Sequence, residues 1–271
     1  MKIGYHISIS DGLIKTAKKI TEQKLSAVQI FPGSPRNYFP GAKHTIHDFK
    51  AMKKLNIPKF VHINYFVNLS GDNPVIPKSI AENMIFCDKI NADGLVIHMG
   101  SHKDIATGMS QTLENLRVAH EKYKKLSNDA EPRVKILIET TAEGGNKHKW
   151  DKILELKKLI GTNNPFVPEI KICVDTCHLY SAGYTAENIC KMIEENHKDI
   201  GLIHLNNPSS NVVLGKHKDQ HDIPLFSEEG KFSKNEIENF INLGKLYNIP
   251  MVMETGTPEV DFLICEKMYN I

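Results

Sequence analysis

Asp175 and His178 stand three residues apart, where the apolar run Ile170 to Val174 ends. An acid and an imidazole at that spacing, with a strand giving way to a loop, can face one pocket. Both are good zinc ligands. A single pair of this kind also arises as an N-cap beside a surface imidazole, so its weight comes from repetition. His62, His98 and Glu139 each close another short apolar run, and His204 and Glu254 close two more. Asp219 and His221 flank Gln220 in the long segment after His204. Taken singly, each has a bland reading: a hydrogen-bonded structural histidine, or a glutamate in a salt bridge. Six consecutive runs ending in ligand-type residues are hard to explain that way.

The runs that must position these residues are Ile3-Tyr5, Ala27-Phe31, Phe60-Ile63, Leu95-Ile97, Ile136-Ile138, Ile172-Val174, Leu202-Ile203 and Met251-Met253. They are continuously apolar, as parallel strands buried on both faces should be. Amphipathic stretches lie between them. Pro77 opens one carrying Ile80, Met84 and Cys87; others carry Leu113, Leu116 and Tyr123, and Ile153, Leu156 and Ile160. Thr185 reads as an N-cap, Ser233 to Glu236 as a capping box, and the last helix as roughly Glu259 to Met268. Eight βα units in 271 residues predict a closed (β/α)8 TIM barrel with its site at the C-terminal ends of the strands. A doubly wound open sheet would favour a glycine-rich phosphate loop after the first strand, and Ser8-Ile9-Ser10-Asp11-Gly12 is not one. No linker or low-complexity tract interrupts the pattern, so residues 1–271 read as a single domain. The long irregular segments, Pro32 to Thr45, Asn64 to Pro77, Thr141 to Asn146 and Asn206 to Lys231, all follow strands and belong on one rim.

In a closed barrel the strand ends form a ring, so nine Asp, Glu and His side chains converge on one mouth. Buried together without cations, four carboxylates would repel one another and lose hydration. Mixed imidazoles and carboxylates suit zinc or manganese better than magnesium or calcium. With one bridging carboxylate, nine ligands can hold two or three ions. Three Zn²⁺ against four carboxylates leave a formal positive charge, which favours an anionic substrate such as a phosphodiester. Such ions also lower the pKa of bound water towards ~7.

Composition sets the outer limits. Net charge is +2, from 34 basic and 32 acidic side chains, so charge neither signals nor excludes a nucleic-acid partner. No apolar run approaches the ~20 residues of a membrane helix. The start, Met1 to His6, is too short and polar for a signal peptide. Five cysteines, an odd number at irregular spacing, argue against a secreted disulfide framework, and Cys173 and Cys177 read as small buried residues. A soluble intracellular protein is expected, a monomer with no membrane association and no obligatory protein partner.

The segments Val61-His62, Ile97-His98-Met99-Gly100-Ser101, Leu137 to Ala142, Cys173 to His178, Ile203 to Asn206, Asp219-Gln220-His221 and Met253-Glu254-Thr255 resemble, in order and over nearly the whole chain, the endonuclease IV family of apurinic/apyrimidinic (AP) endonucleases. The resemblance implies a trinuclear zinc enzyme, three Zn²⁺ per chain, that cleaves duplex DNA 5′ to an abasic site and leaves a 3′-hydroxyl and a 5′-deoxyribose phosphate. Such enzymes also trim blocked 3′ ends. By position, His62, His98 and Glu139 match ligands of a first zinc. Glu139 bridges to a second, completed by Asp175, His204 and Glu254. His178, Asp219 and His221 match the third. Glu139 and Glu254 carry over as the catalytic carboxylates. The family inserts side chains into DNA at the lesion, and the matching positions are Arg36, Tyr65 and Phe66, which would otherwise read as a surface charge and rim aromatics. Lys216, His217 and Lys218 would lie near phosphates. Two features depart from the pattern: Asn207 stands where the family usually has Asp, and Asp222 to Gly230 replaces a Gly-x-Gly loop. The alternative is a divalent-metal sugar isomerase or epimerase on a related barrel. It needs fewer ligands and leaves Asp219, His221 and the Tyr65-Phe66 loop without a task.

Overall fold

A computed structural model describes residues 1–41, 44–128, 130–142, 150–163 and 169–269. Strands and helices alternate: β1 (Ile3–His6), α1 (Leu13–Glu22), β2 (Ala27–Ile30), α2 (Ile46–Lys53), β3 (Lys59–His62), α3 (Val75–Ile90), β4 (Gly94–His98), α4 (Ile105–Leu126), β5 (Lys135–Glu139), α5 (Trp150–Asn163), β6 (Ile170–Asp175), α6 (Thr176–Ala182), α7 (Ala186–Asn196), β7 (Ile200–His204), α8 (Lys234–Leu246), β8 (Met251–Met253) and α9 (Pro258–Tyr269). Each strand pairs in parallel with its sequence neighbour, and β8 returns to β1, so the sheet closes into the expected barrel.

The two faces of each strand have different fates. Leu95 and Ile97, Ile136 and Ile138, and Ile172 and Val174 join the large core shared with the helices. The alternate residues Phe60, Val96, Leu137, Cys173, Leu202 and Val252 form a separate cluster, one from each of β3 to β8, filling the barrel's inside. Side chains alternate along a strand. Two residues beyond each inside position therefore come His62, His98, Glu139, Asp175, His204 and Glu254, on the same inner face at the mouth. A slip of one residue would turn any of them into the helix layer and bring an apolar residue inside, so packing locks the site's register.

Local signals set the helix starts. Thr45, Thr185 and Ser233 cap α2, α7 and α8 in reciprocal capping boxes with Asp48, Asn188 and Glu236. α3 begins two residues before Pro77, which sits in the first turn, where its missing N–H costs nothing. One expectation is corrected. The chain after Asp175 enters a helix directly instead of a loop. Asp175 is the N-cap of α6, its Oδ1 accepting from the His178 N–H at 2.8 Å, and Gly183 ends that helix at φ 110°. The irregular segments after β3 and β7, and the described part of the one after β2, lie on the mouth side as expected. Of the expected Thr141 to Asn146 segment, positions 143–146 lie outside the described residues.

Candidate metal centre

Glu139 sits at the middle of the mouth and is buried. Its Oε2 lies 3.0 Å from His62 Nε2 and 2.8 Å from His98 Nε2. Its Oε1 lies 3.0 Å from His204 Nδ1 and 3.4 Å from His178 Nδ1. His204 Nδ1 also faces Glu254 Oε2 at 3.3 Å and Asp175 Oδ2 at 3.7 Å. From the long loop, Asp219 reaches His178 Nε2 at 3.1 Å and His221 Nε2 at 3.4 Å. The mouth is a cavity of about 300 Å³, walled by His62, His98, Glu139, His178, Asp219, His221 and Glu254 together with His6, Phe31 and Tyr65.

Three of the five imidazoles are anchored through Nδ1 to a backbone carbonyl. Nδ1 of His62 lies 2.6 Å from the Ile63 carbonyl oxygen, His178 Nδ1 lies 2.7 Å from that of Thr140, and His221 Nδ1 lies 3.1 Å from that of Glu254. A carbonyl can only accept, so each Nδ1 carries a proton and each Nε2 is the nitrogen left to offer a lone pair once it is unprotonated. Asp175 is held twice: Oδ1 caps α6, and Oδ2 accepts from Asn206 Nδ2 at 2.7 Å. Asn206 Oδ1 in turn accepts from the Glu254 backbone N–H at 2.9 Å.

The electrostatics are those of cations replaced by protons. Burial pushes the imidazoles of His178 and His204 down. The carboxylates of Asp175 and Asp219 around His178, and of Glu254 and Glu139 around His204, outweigh it and hold both well above the ordinary range. Burial likewise opposes ionisation of Glu139 and Glu254, yet the charges of His98 and His204 on the first, and of His204 and His6 on the second, hold both below the usual carboxylate range. The thiols of Cys173 and Cys177 are free and are pushed up to about 12 by burial, so neither offers a thiolate.

Among the described residues, the ligand atoms fall into three groups, within 4.8 Å of one another in each: His62, His98 and Glu139; Glu139, Asp175, His204 and Glu254; and Asp175, His178 and His221. Eight of the nine residues singled out in the sequence belong to these groups, and Asp219 touches the third through His178 and His221. The donor set fits divalent transition metals. It is mixed imidazole and carboxylate, largely buried, with most ring nitrogens already oriented inward.

Sequence reasoning passed over His6 and Gln29. Gln29 Nε2 lies 2.6 Å from Glu254 Oε1 and 3.1 Å from His6 Nδ1, and Gln29 Oε1 lies 2.8 Å from His204 Nε2. The two-residue step that marks the other strands marks these as well, since Gly4 precedes His6 and Ala27 precedes Gln29 on the first two strands. An amide, however, is not a ligand type.

The remaining residues sit on the rim. Tyr65 and Phe66 are 66% and 52% exposed. Tyr65 packs edge-on to Phe31, with ring centroids 5.3 Å apart. Its backbone N–H donates to the Pro35 carbonyl at 3.2 Å, which ties its loop to the one carrying exposed Arg36. Exposed Lys216 and Lys218 flank His217, whose N–H donates to the Ser181 carbonyl at 3.0 Å. The two departures from the family pattern prove to be one feature. Buried Asn207 donates through Nδ2 to the carbonyls of Leu225 (2.8 Å) and Phe232 (3.2 Å), and its Oδ1 accepts from Phe232 N–H at 2.9 Å. It cross-ties the segment that replaces the Gly-x-Gly loop. Gly230 passes so close that an added Cβ would lie 2.1 Å from Asn207 Nδ2.

Comparison with known proteins agrees with this geometry. Residues 17–259 match the family model described as xylose isomerase-like TIM barrel. The chain is 32% identical to a probable endonuclease 4 of Carboxydothermus hydrogenoformans, over 96% of this chain and 93% of that one. It is also 32% identical to a probable endonuclease 4 of Finegoldia magna, over 94% and 91%. Endonuclease IV from Thermus thermophilus superposes with a TM-score of 0.79 at 23% identity, over 100% of this chain and 99% of that one. A D-tagatose 3-epimerase-like protein shares the fold at a TM-score of 0.69 and 14% identity, over 100% and 96%. The fold is thus common to nucleases and sugar epimerases, and identity at this level along the whole chain separates them: the protein belongs to the endonuclease IV family of nucleases.

Proposed function

We propose that this chain is an AP endonuclease of DNA repair that holds three Zn²⁺ at the barrel mouth. It hydrolyses the phosphodiester 5′ to an abasic site in duplex DNA, leaving a 3′-hydroxyl and a 5′-deoxyribose phosphate, and trims blocked 3′ ends by the same hydrolysis. It acts as one intracellular catalytic unit spanning 1–271, as a monomer. The observation that carries this reading is the sharing of Glu139 and Asp175 between neighbouring groups of ligand atoms, which makes the three sites one cluster. His62, His98 and Glu139 would hold one ion; Glu139, Asp175, His204 and Glu254 a second; and His178, Asp219 and His221 a third, with Asp175 close by. Bound, the ions would supply Lewis acidity towards the phosphate and a water acidic enough to lose its proton near neutral pH.

The chain's own residues do the rest. Glu254, fixed at Oε1 by Gln29, leaves Oε2 on the pocket side, where it can orient an attacking water and accept its proton. The inward-facing imidazoles hold their places without reorganising, as electrostatic catalysis requires. Tyr65, Phe66 and Arg36 stand together on the rim, where they can fill the gap left in the duplex by an extruded abasic nucleotide. That nucleotide has no base to unstack, so its extrusion costs less than that of a paired one.

The deciding experiment uses a duplex with one tetrahydrofuran abasic analogue, with and without chelator. The analogue has no aldehyde, so lyase chemistry cannot imitate hydrolysis. Incision 5′ to the analogue, abolished by chelator and restored by zinc, is expected. An intact duplex, or incision that ignores the chelator, sinks the proposal.

Two smaller effects follow. Replacing Tyr65 and Phe66 together by Ala should weaken binding of the abasic duplex by roughly thirtyfold or more, at about 1–3 kcal/mol per stacked aromatic, while zinc content stays unchanged. A gel-shift titration reads this. The second effect is on pH. His178 and His204 lie above their ordinary 6.5, so their ion pairs stabilise the metal-free protein fully below 6.5 and fade as pH rises through the raised values. Glu139 and Glu254 lie below their ordinary 4.5, so their contribution is present above 4.5 and fades as pH falls through the lowered values. Metal-stripped protein should therefore melt highest between 4.5 and 6.5. Zinc should move the optimum upward, because ligation needs unprotonated imidazole. Thermal melts across pH check this, and a common optimum for both forms would contradict it.

A further inference from the structure

We infer that Gln29 is a positioning residue of the metal centre, which dictates the nitrogen that His204 presents to the second ligand group and the oxygen that Glu254 presents. The inference rests on the metal reading above and deepens it.

His62, His178 and His221 are oriented by backbone carbonyls, which no substitution removes. His204 differs: its outward nitrogen meets a side chain. Glu254 sets the first link. A carboxylate that serves as a metal ligand only accepts, so the Gln29 atom 2.6 Å from Glu254 Oε1 must be the amide nitrogen. The amide oxygen then faces His204 Nε2 at 2.8 Å. An acceptor there requires the proton on Nε2. Nδ1 is left to the second ligand group, opposite Glu139 Oε1, Glu254 Oε2 and Asp175 Oδ2. The second amide N–H points at His6 Nδ1, 3.1 Å away. All of the amide's strongest hydrogen-bonding directions are thus used, and the residue is fully buried. A glutamate at this position would set two carboxylates against each other, and a hydrophobe would let the imidazole of His204 turn or bind through either nitrogen. Gln29 lies on β2, opposite His6 in the β1 register, so the barrel backbone fixes the amide itself.

The test uses the full chain with ¹⁵N-labelled histidine, stripped of metal. Wild-type protein should show a slowly exchanging proton on His204 Nε2 in long-range ¹H–¹⁵N spectra. Gln29→Met, close in volume, should lose that protection. Gln29→Glu repels Glu254 but still offers an oxygen to His204 Nε2 and should keep the proton protected. In parallel, zinc is titrated against a fluorescent chelator. Gln29→Met should bind one ion per chain roughly 10- to 100-fold more weakly, the range expected for loss of a partner behind a ligand, with the other ions unaffected. Absence of the protected proton in wild-type protein overturns the inference even if the Met variant does not fold. So does a folded Gln29→Met variant whose proton exchange and zinc affinity both match wild type. The proton is read without metal, so the Gln29 question is answered even if wild-type protein takes up no zinc and leaves the abasic duplex intact, the result that would defeat the proposed function instead.

Discussion

Glu139→Ala is expected to lower incision of the abasic duplex by about a thousandfold or more while leaving the barrel folded. The size follows from the geometry. Glu139 is the carboxylate reached by four imidazoles, two on each oxygen, and it belongs to two of the three ligand groups. Its removal takes a ligand from two sites at once and leaves four imidazoles facing one another without their shared counter-charge. Metal-ion catalysis contributes several kcal/mol of transition-state stabilisation, and each 1.36 kcal/mol is tenfold in rate, so losing about 4 kcal/mol gives about a thousandfold. The fold survives because Glu139 lies at the open end of β5, beyond the apolar layer in which Leu137 packs with Phe60, Val96, Cys173, Leu202 and Val252. Single-turnover incision, zinc content by mass spectrometry and a thermal melt on the same preparation separate the cases. A folded variant with full activity would remove Glu139 from the centre. Glu139→Gln keeps the shape but not the charge, and should be nearly as inactive.

The legible part of this molecule is the part governed by period two. Eight apolar runs predict eight strands because a parallel strand inside a barrel is buried on both faces, a demand composition must meet openly. The ligand-type residues at their ends are readable for the same reason: a side chain's face follows from counting back to the apolar layer. Two things escape. Gln29 obeys the count, but an amide does not announce chemistry; its task emerges only from the 2.6 and 2.8 Å contacts that place it between Glu254 and His204. α6 escapes because Asp175 reads as a ligand, and one carboxylate is given one role. The side chain divides the work, with Oδ1 on the helix N-terminus and Oδ2 towards His204 and Asn206. Which atoms of the third group converge also lies beyond reach. Asp219 and His221 come from a long segment whose path depends on tertiary ties and not on periodicity.

One of those ties makes the second large prediction. Asn207→Asp should destabilise the folded protein by about 3–5 kcal/mol at neutral pH, the cost of an uncompensated buried charge. Yet it changes one atom and moves the sequence towards the family's usual residue. The amide Nδ2 donates to two carbonyls, of Leu225 and Phe232, in a fully buried position. A carboxylate oxygen in its place would face two acceptors with nothing to donate. The alternative is for the new carboxyl group to stay protonated, which raises its pKa, so the deficit should shrink as pH falls. The damage should also reach the chemistry. Asp219 and His221 lie between the anchored residue and its Leu225 partner, so a loosened segment holds the third ligand group less well. Urea unfolding of the metal-free protein at two pH values, together with zinc titration, gives both readouts. Unchanged urea midpoints at neutral pH would mean that the replacement loop does not depend on this amide. A lost midpoint that is not regained at lower pH would place the fault in packing against Gly230, where the spacing is already too small for any Cβ.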